Sequence, residues 1–211
     1  MYLFTRTAHL KVGNPTPGMT FATEVSHKVR ELTNHPIQVW TSMYSPGLGT
    51  IVWASWFESL ADLERVSDKL ATDGPYLQML STSAELFEGS IDDALMEPMA
   101  GTPDTSRSLQ YVSAVTAVPA AGNLVNAVTQ GIEIAEQAEA ATGLPTLFMR
   151  SMTGPYGGVS WLTGFESIDE LESSEKALMS NDQWTDLVDS ASACFQDDPA
   201  GTRQMIFRRA G

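Results

Sequence analysis

Seven residues have the side-chain chemistry and the placement to line a ligand site: Arg6, His9, Trp40, Tyr44, Trp56, Arg150 and Gly164. Arg6 stands among Tyr2, Phe4 and Ala8, and Arg150 stands near Phe148 and Met152, in stretches that alternate as strands do. A strand arginine with apolar neighbours needs an acidic partner, or it lines a polar cavity that accepts an anionic or carbonyl group. His9 lies on the same strand as Arg6, a placement that His27 and His35 do not share. Trp40 and Tyr44 fall in a second strand and Trp56 in a third. Gly164 is the residue that answers Trp56 when the two halves of the chain are aligned, so a hydrogen stands where an indole stood. If that strand face points inward, a cavity is expected to be plugged near Trp56 and open near Gly164, with Arg150 as its polar group. The competing reading is that Gly164 marks a bulge just before a helix.

The chemistry that would need a cofactor is missing. No G-x-G-x-x-G, Walker-type loop, G-x-S-x-G or H-E-x-x-H occurs. His27 on a polar helix side and His35 before Pro36 have no neighbours at metal-ligand spacing, so no metal is expected, nor haem or nucleotide. Cys194 is the single cysteine; beside Phe195 it reads as a small core residue rather than a nucleophile. No catalytic set is assigned.

These residues are positioned by an architecture stated twice. Trp53-Ala54-Ser55-Trp56-Phe57-Glu58-Ser59 is echoed by Trp161-Leu162-Thr163-Gly164-Phe165-Glu166-Ser167, an offset of 108 residues. The chain divides into repeat 1 at 1–99, a linker at 100–107 rich in structure breakers, and repeat 2 at 108–211. Each copy reads β-α-β-β-α-β. In the first, strands are expected at Tyr2 to Val12, Ile37 to Tyr44, Thr50 to Phe57 and near Ala94 to Met99. Helices are expected from about Pro17 to Asn34, from Ser59, and again after Asp73-Gly74-Pro75, carrying Tyr76, Met79, Leu80, Ser83 and Phe87. In the second, strands run Leu109 to Val118, Thr146 to Met152, Val159 to Phe165 and Thr202 to Arg209, with a helix at Asn123 to Thr142. Ser167-Ile168-Asp169-Glu170 is a capping box that starts a further helix, and Ser59-Leu60-Ala61-Asp62 is its weaker twin. Such a unit is a ferredoxin-like α+β sandwich, with helices on one sheet face and the other face open. Two tandem units can cover each other's open faces in an intramolecular, pseudo-dimeric α+β barrel. One chain then suffices for the barrel, and higher homo-oligomers stay open. Trp53 and Trp161 read as core residues on the face that the copies share.

The formal net charge is −14, from 26 acidic and 12 basic residues. Such a surface repels phosphate backbones and anionic lipid, so neither nucleic acid nor membrane is an expected partner. No run approaches the roughly 18 apolar residues of a membrane span, and the expected compartment is the cytoplasm. The partner that remains is a small apolar or aromatic ligand.

The segment Trp53 to Arg65, the restart Asp73-Gly74-Pro75-Tyr76-Leu77, and their counterparts Phe165 to Leu171 and Asn181-Asp182-Gln183-Trp184 resemble the dimeric α+β barrel superfamily. NIPSNAP-type proteins and antibiotic-biosynthesis-type monooxygenases belong to it, and the aromatic-Glu-Ser helix start resembles NIPSNAP sequences most. The resemblance implies a small-molecule-binding barrel. It also implies two alternatives: a cofactor-independent monooxygenase acting on an aromatic or polyketide-like substrate, and a non-catalytic interaction scaffold. Haem-degrading members use a first-strand Asn with a Trp and a His. Here neither first strand has Asn, and the matching helix positions hold Val66 and Ser174, with Pro75 and Gln183 near the place of the histidine.

Overall fold

The computed structural model describes residues 1–11, 13, 15–104, 106–197 and 202–210. Its strands are β1 (Tyr2–Leu10), β2 (Gln38–Met43), β3 (Thr50–Phe57), β4 (Phe87–Ala100), β5 (Tyr111–Ala117), β6 (Thr146–Ser151), β7 (Val159–Phe165) and β8 (Arg203–Arg209). The helices are α1 (Pro15–Thr33), α2 (Leu60–Ala71), α3 (Gly74–Ser81), α4 (Leu124–Thr142), α5 (Ile168–Met179) and α6 (Asp182–Ala191). The sheet order is β1-β3-β2-β8-β5-β7-β6-β4, and the sheet closes on itself. Among the described residues no helix is long and apolar enough to cross a membrane. The chain forms two compact units, one of Met1–Leu95 with the residues from Arg208 onward, the other of Met96–Phe207.

In the first unit β1 and β2 both pair antiparallel with β3; Arg6 lies opposite Trp53, and Trp53 opposite Val39. Alternation therefore puts Ala8, Val39, Ile51 and Trp53 on the face packed by α1 and α3, where Phe21, Val25, Tyr76 and Phe87 complete the core. The second unit repeats this with β5 and β6 on either side of β7, and with Phe148, Val159 and Trp161 against α4. Both indoles are anchored alike. Trp53 Nε1 donates to the Ala22 carbonyl at 3.0 Å and Trp161 Nε1 to that of Gly131 at 2.8 Å. Phe87 and Phe195 set their edges on these two rings.

The buried stripe of α4 is made of small residues, and α1 has a matching row beside its larger Phe21 and Val25, which lets each helix axis approach a sheet that carries bulky side chains. In α1 the stripe includes Gly18, Ala22, Ser26 and Val29; in α4 it is Ala127, Gly131, Ala135 and Ala138, each 109 residues later. Both helices stop by one device. Thr33 and Thr142 hydroxyls donate to the carbonyl four residues back and accept the N–H two residues on. The next residues, Asn34 (φ 57°) and Gly143 (φ 73°), are left-handed. The offset falls from 109 to 108 between Met43 and Thr50, whose counterparts Met152 and Gly158 are one residue closer in sequence.

The helix starts agree with the sequence reading. Ser59 and Ser167 cap α2 and α5 by accepting from the third backbone N–H. Asp73 and Asn181 do the same for α3 and α6. Glu170 reaches back one residue further than a capping box requires, accepting from the Glu166 N–H at 2.6 Å while also holding Arg107.

Three expectations need correction. The helix carrying Tyr76 ends at Ser81, a 3-10 turn covers Ser83–Glu85, and Phe87 opens β4, which starts well before Ala94 and runs through Ala100. Cys194, expected in the core, is half-buried and closes a 3-10 turn. Val12, placed in the first strand, lies outside the described residues, as does Thr105 of the linker.

Candidate functional site

The seven candidates separate by strand parity. Arg6, opposite Trp53, lies on the helix-bearing face and holds Asp93 of β4 through two hydrogen bonds of 2.7 and 2.8 Å, with its guanidinium 5.8 Å from the Phe4 ring. The Asp93 bond holds its pKa above the ordinary arginine value, against the opposing effect of burial. Arg150, opposite Val159 on the matching face of the second unit, donates at 2.6 Å to its cross-strand neighbour Glu97. Both strand arginines thus resolve to the paired alternative. Tyr44 is removed from the set: it is 85% exposed in the β2–β3 hairpin with φ 51°.

The opening expected beside Gly164 is also absent. A Cβ built there would meet Leu109 Cδ1 at 2.5 Å, so a leucine entering from before β5 fills the space. Arg107 Nη1 donates to the Gly164 carbonyl, and its Nη2 grips Glu170, fixing that approach.

His9, Trp40 and Trp56 remain together on the face of the first unit turned away from its helices. Registers give Leu3 opposite Trp56, Thr5 opposite Ala54, Thr7 opposite Val52 and His9 opposite Thr50. Trp40 flanks Val52 from β2 and is buried. The half-buried members form a strip with Trp56 at one end and His9 at the other. Six residues separate Thr50 from Trp56, so the strip is about 20 Å long. Its floor is Thr5, Thr7, Val52 and Ala54, small or hydroxyl-bearing side chains between two rings.

The hydrogen bonds fix the imidazole. Thr50 Oγ1 donates its one proton to the Gly47 carbonyl at 2.6 Å, so its 3.1 Å contact with His9 Nδ1 has the ring nitrogen as donor. Neutral His9 then presents an unprotonated Nε2, with no protein partner among the described residues. That nitrogen is a hydrogen-bond acceptor and a base. Sequence reasoning passed over Thr50, although Thr50 and Gly47 set the tautomer; the signal was a threonine directly across the strand pair from the histidine. Among the described residues no cluster of three His, Cys, Asp or Glu could hold a metal ion.

Solved structures share the fold. An anthrone oxidase-like protein is similar over 100% of this chain and 91% of its own, with TM-score 0.71 and 10% identity. The fold is that of the dimeric α+β barrels. A protein of Fusobacterium nucleatum subsp. nucleatum ATCC 25586, provisionally called a monooxygenase, is similar over 100% of this chain and 92% of its own, with TM-score 0.70 and 9% identity. A NIPSNAP family protein of Agrobacterium tumefaciens str. C58 matches 48% of this chain with 96% of its own at 16% identity and TM-score 0.42, a likeness limited to half of the chain. No family model matches the sequence, and no curated protein does. At these identities the likeness defines the fold and leaves the activity to the residues.

Proposed function

We propose that this protein binds a small aromatic or apolar organic molecule on the helix-free strip of its first repeat, between Trp56 and His9. The carrying observation is the strip itself: a flat floor of Thr5, Ala54, Thr7 and Val52, an indole at one end, and an imidazole with a free acceptor nitrogen at the other. Aromatic rings stack on indoles and small side chains leave room for them, while His9 Nε2 suits a phenolic hydroxyl. A net charge of −14 is at odds with a nucleic-acid partner, and the lone Cys194 suits a reducing, cytoplasmic setting. The test is a calorimetric titration with 1-naphthol. Thr5→Trp fills the floor and abolishes binding; Ala114→Trp, the matching position of the second repeat, leaves it intact. Equal losses in the two variants, with melting curves showing both folded, overturn the proposal.

His9 supports a second reading, cofactor-independent oxygenation. Its Nε2 would take a proton from an activated CH2 of a phenolic ring system. The resulting anion would react directly with dioxygen, the CH2 becoming C=O and the other oxygen atom leaving as water. The similarity to an anthrone oxidase-like fold fits this chemistry. Oxygen uptake with anthrone, lost in His9→Ala while naphthol binding persists, would support catalysis; no uptake by the wild type leaves binding alone.

A further inference from the structure

A second recess lies on the opposite side of the first unit, between α1 and the start of β2. It has a volume of about 310 Å3, at the lower end for small-molecule sites. His27, Arg30 and Glu31 line it from the helix, Gln38 from β2, and Arg209 from the end of β8. The root of Arg209 is fixed, because the next residue, Ala210, donates its N–H to the Val39 carbonyl at 2.8 Å.

Two features single out this recess. First, the chain carries 26 acidic against 12 basic residues, and Arg6, Arg65, Arg107 and Arg150 are each held by a carboxylate. Arg30 and Arg209, like Arg203 and Arg208, have no carboxylate partner among the described residues, but these two share one recess, where Glu31 lies against Lys28 instead. Two arginines against the one carboxylate of Glu31 give the lining of this recess a local positive charge in an otherwise acidic protein. Second, the second repeat inverts the charge. The positions matching His27 and Arg30 are Glu136 and Glu139, and Leu147 stands for Gln38. The fold therefore does not require cations at these helix positions.

We infer that this recess binds the oxyanion head of a small molecule, a carboxylate or a phosphate monoester. Arg30 and Arg209 offer planar forks of N–H donors suited to two oxygens each, and the Gln38 amide supplies a neutral donor. Ser26 and Thr23 also line the recess, but their hydroxyls already donate to the Thr23 and Met19 carbonyls and leave the anion to the guanidinium groups. Ile37 and Val39 give the remainder of such a ligand an apolar wall.

Calorimetric titration of the intact protein at low ionic strength, with inorganic phosphate and separately with benzoate, tests this. The expected result is saturable 1:1 binding of at least one anion, weakened by salt. The Arg30→Gln/Arg209→Gln double variant should bind about tenfold to a hundredfold more weakly, the effect of losing charge-assisted hydrogen bonds. Arg203→Gln, at an exposed arginine outside the recess, should bind as the wild type does. Phosphate alone or benzoate alone binding assigns the head group. Binding of neither, or an equal loss in Arg203→Gln, overturns the inference. Thr5→Trp should leave anion binding unchanged, so the two proposed sites fail or survive separately.

Discussion

The two repeats are alike where helix meets sheet and different on the other side. Facing the helices, Trp53 matches Trp161, Phe87 matches Phe195, and the caps Ser59 and Asp73 match Ser167 and Asn181. Turned away from them, the first repeat carries His9, Trp40 and Trp56, while the second carries Val118, Met149 and Gly164 at the corresponding positions. Packing restrains the first face, because each large ring is fitted to a particular helix residue. The second face is less constrained: β1, β2 and β3 carry rings and a titratable group there, and β5, β6 and β7 carry none.

Even the shared face contains a compensated exchange, which gives the largest expected effect. Ala22 and Val39 share the core of the first repeat; the second has Gly131 and Phe148 at the matching positions. A Cβ on Gly131 would lie 2.3 Å from two Phe148 ring atoms. Gly131→Ala should therefore destabilise by about 1–3 kcal/mol through overpacking. In a Phe148→Val background the same change should be neutral or stabilising, since alanine favours the helix by about 1 kcal/mol. Denaturant melts of this double-mutant cycle measure the coupling, and additive effects would break the comparison.

Loss of either indole N–H should cost nearly the same in both halves. Trp53→Phe and Trp161→Phe each leave a buried helix carbonyl, Ala22 or Gly131, without its donor, worth about 1–3 kcal/mol in melts. A large inequality would mean that the two cores are not equivalent. Ser167→Ala and Ser59→Ala remove equivalent caps, at about 0.5–2 kcal/mol each. The first should be the costlier, because Ser167 also orders the Glu170 that grips Arg107 from a distant part of the chain, while Asp62 pairs with neighbouring Arg65.

The smallest effect is a pH dependence present in one repeat. His35 stacks on Phe57 with ring centroids 4.1 Å apart, and its Nε2 is buried without a partner. Burial holds its pKa below the ordinary 6.5, against the opposing pull of Asp62 and the Trp56 backbone. The unfolded chain therefore takes up the proton first. The contribution to stability is complete above about pH 6.5 and is lost as pH falls through the depressed native value. His35→Leu installs the residue of the second repeat, Leu144, and should flatten stability against pH in that range. An unchanged slope would show that His35 titrates as it does in the unfolded chain.

Much of the fold was legible in the sequence because the repeat marks the strands that pair most regularly. The bounds of β3 and β7 were read to the residue, since apolar alternation and an Asp, Glu or Ser stop both signal them. The beginning of β4 was not legible. Glu88-Gly89-Ser90 and Asp92-Asp93 are exposed and carry no alternation, and they are strand because β1 supplies their partner. Phe87 sits at helical spacing from Tyr76 and Leu80, yet its role is an edge against Trp53 from a strand. That His9, Trp40 and Trp56 share one strand face follows from parity alone. Tyr44 was lost because the strand ends at Met43. Gly164 misled because the group over it comes from Leu109, which no repeat alignment pairs with Trp56.

Strand β8 has a consequence for the growing chain. Its residues from Arg208 belong to the compact unit that begins at Met1, and Ala210 closes against Val39. A ribosome therefore releases the first half of the sequence long before that half can finish its own sheet. Until position 210 has been made, β2 has an unpaired edge that a neighbouring nascent chain could borrow. Order of synthesis and order of completion run in opposite directions in this molecule.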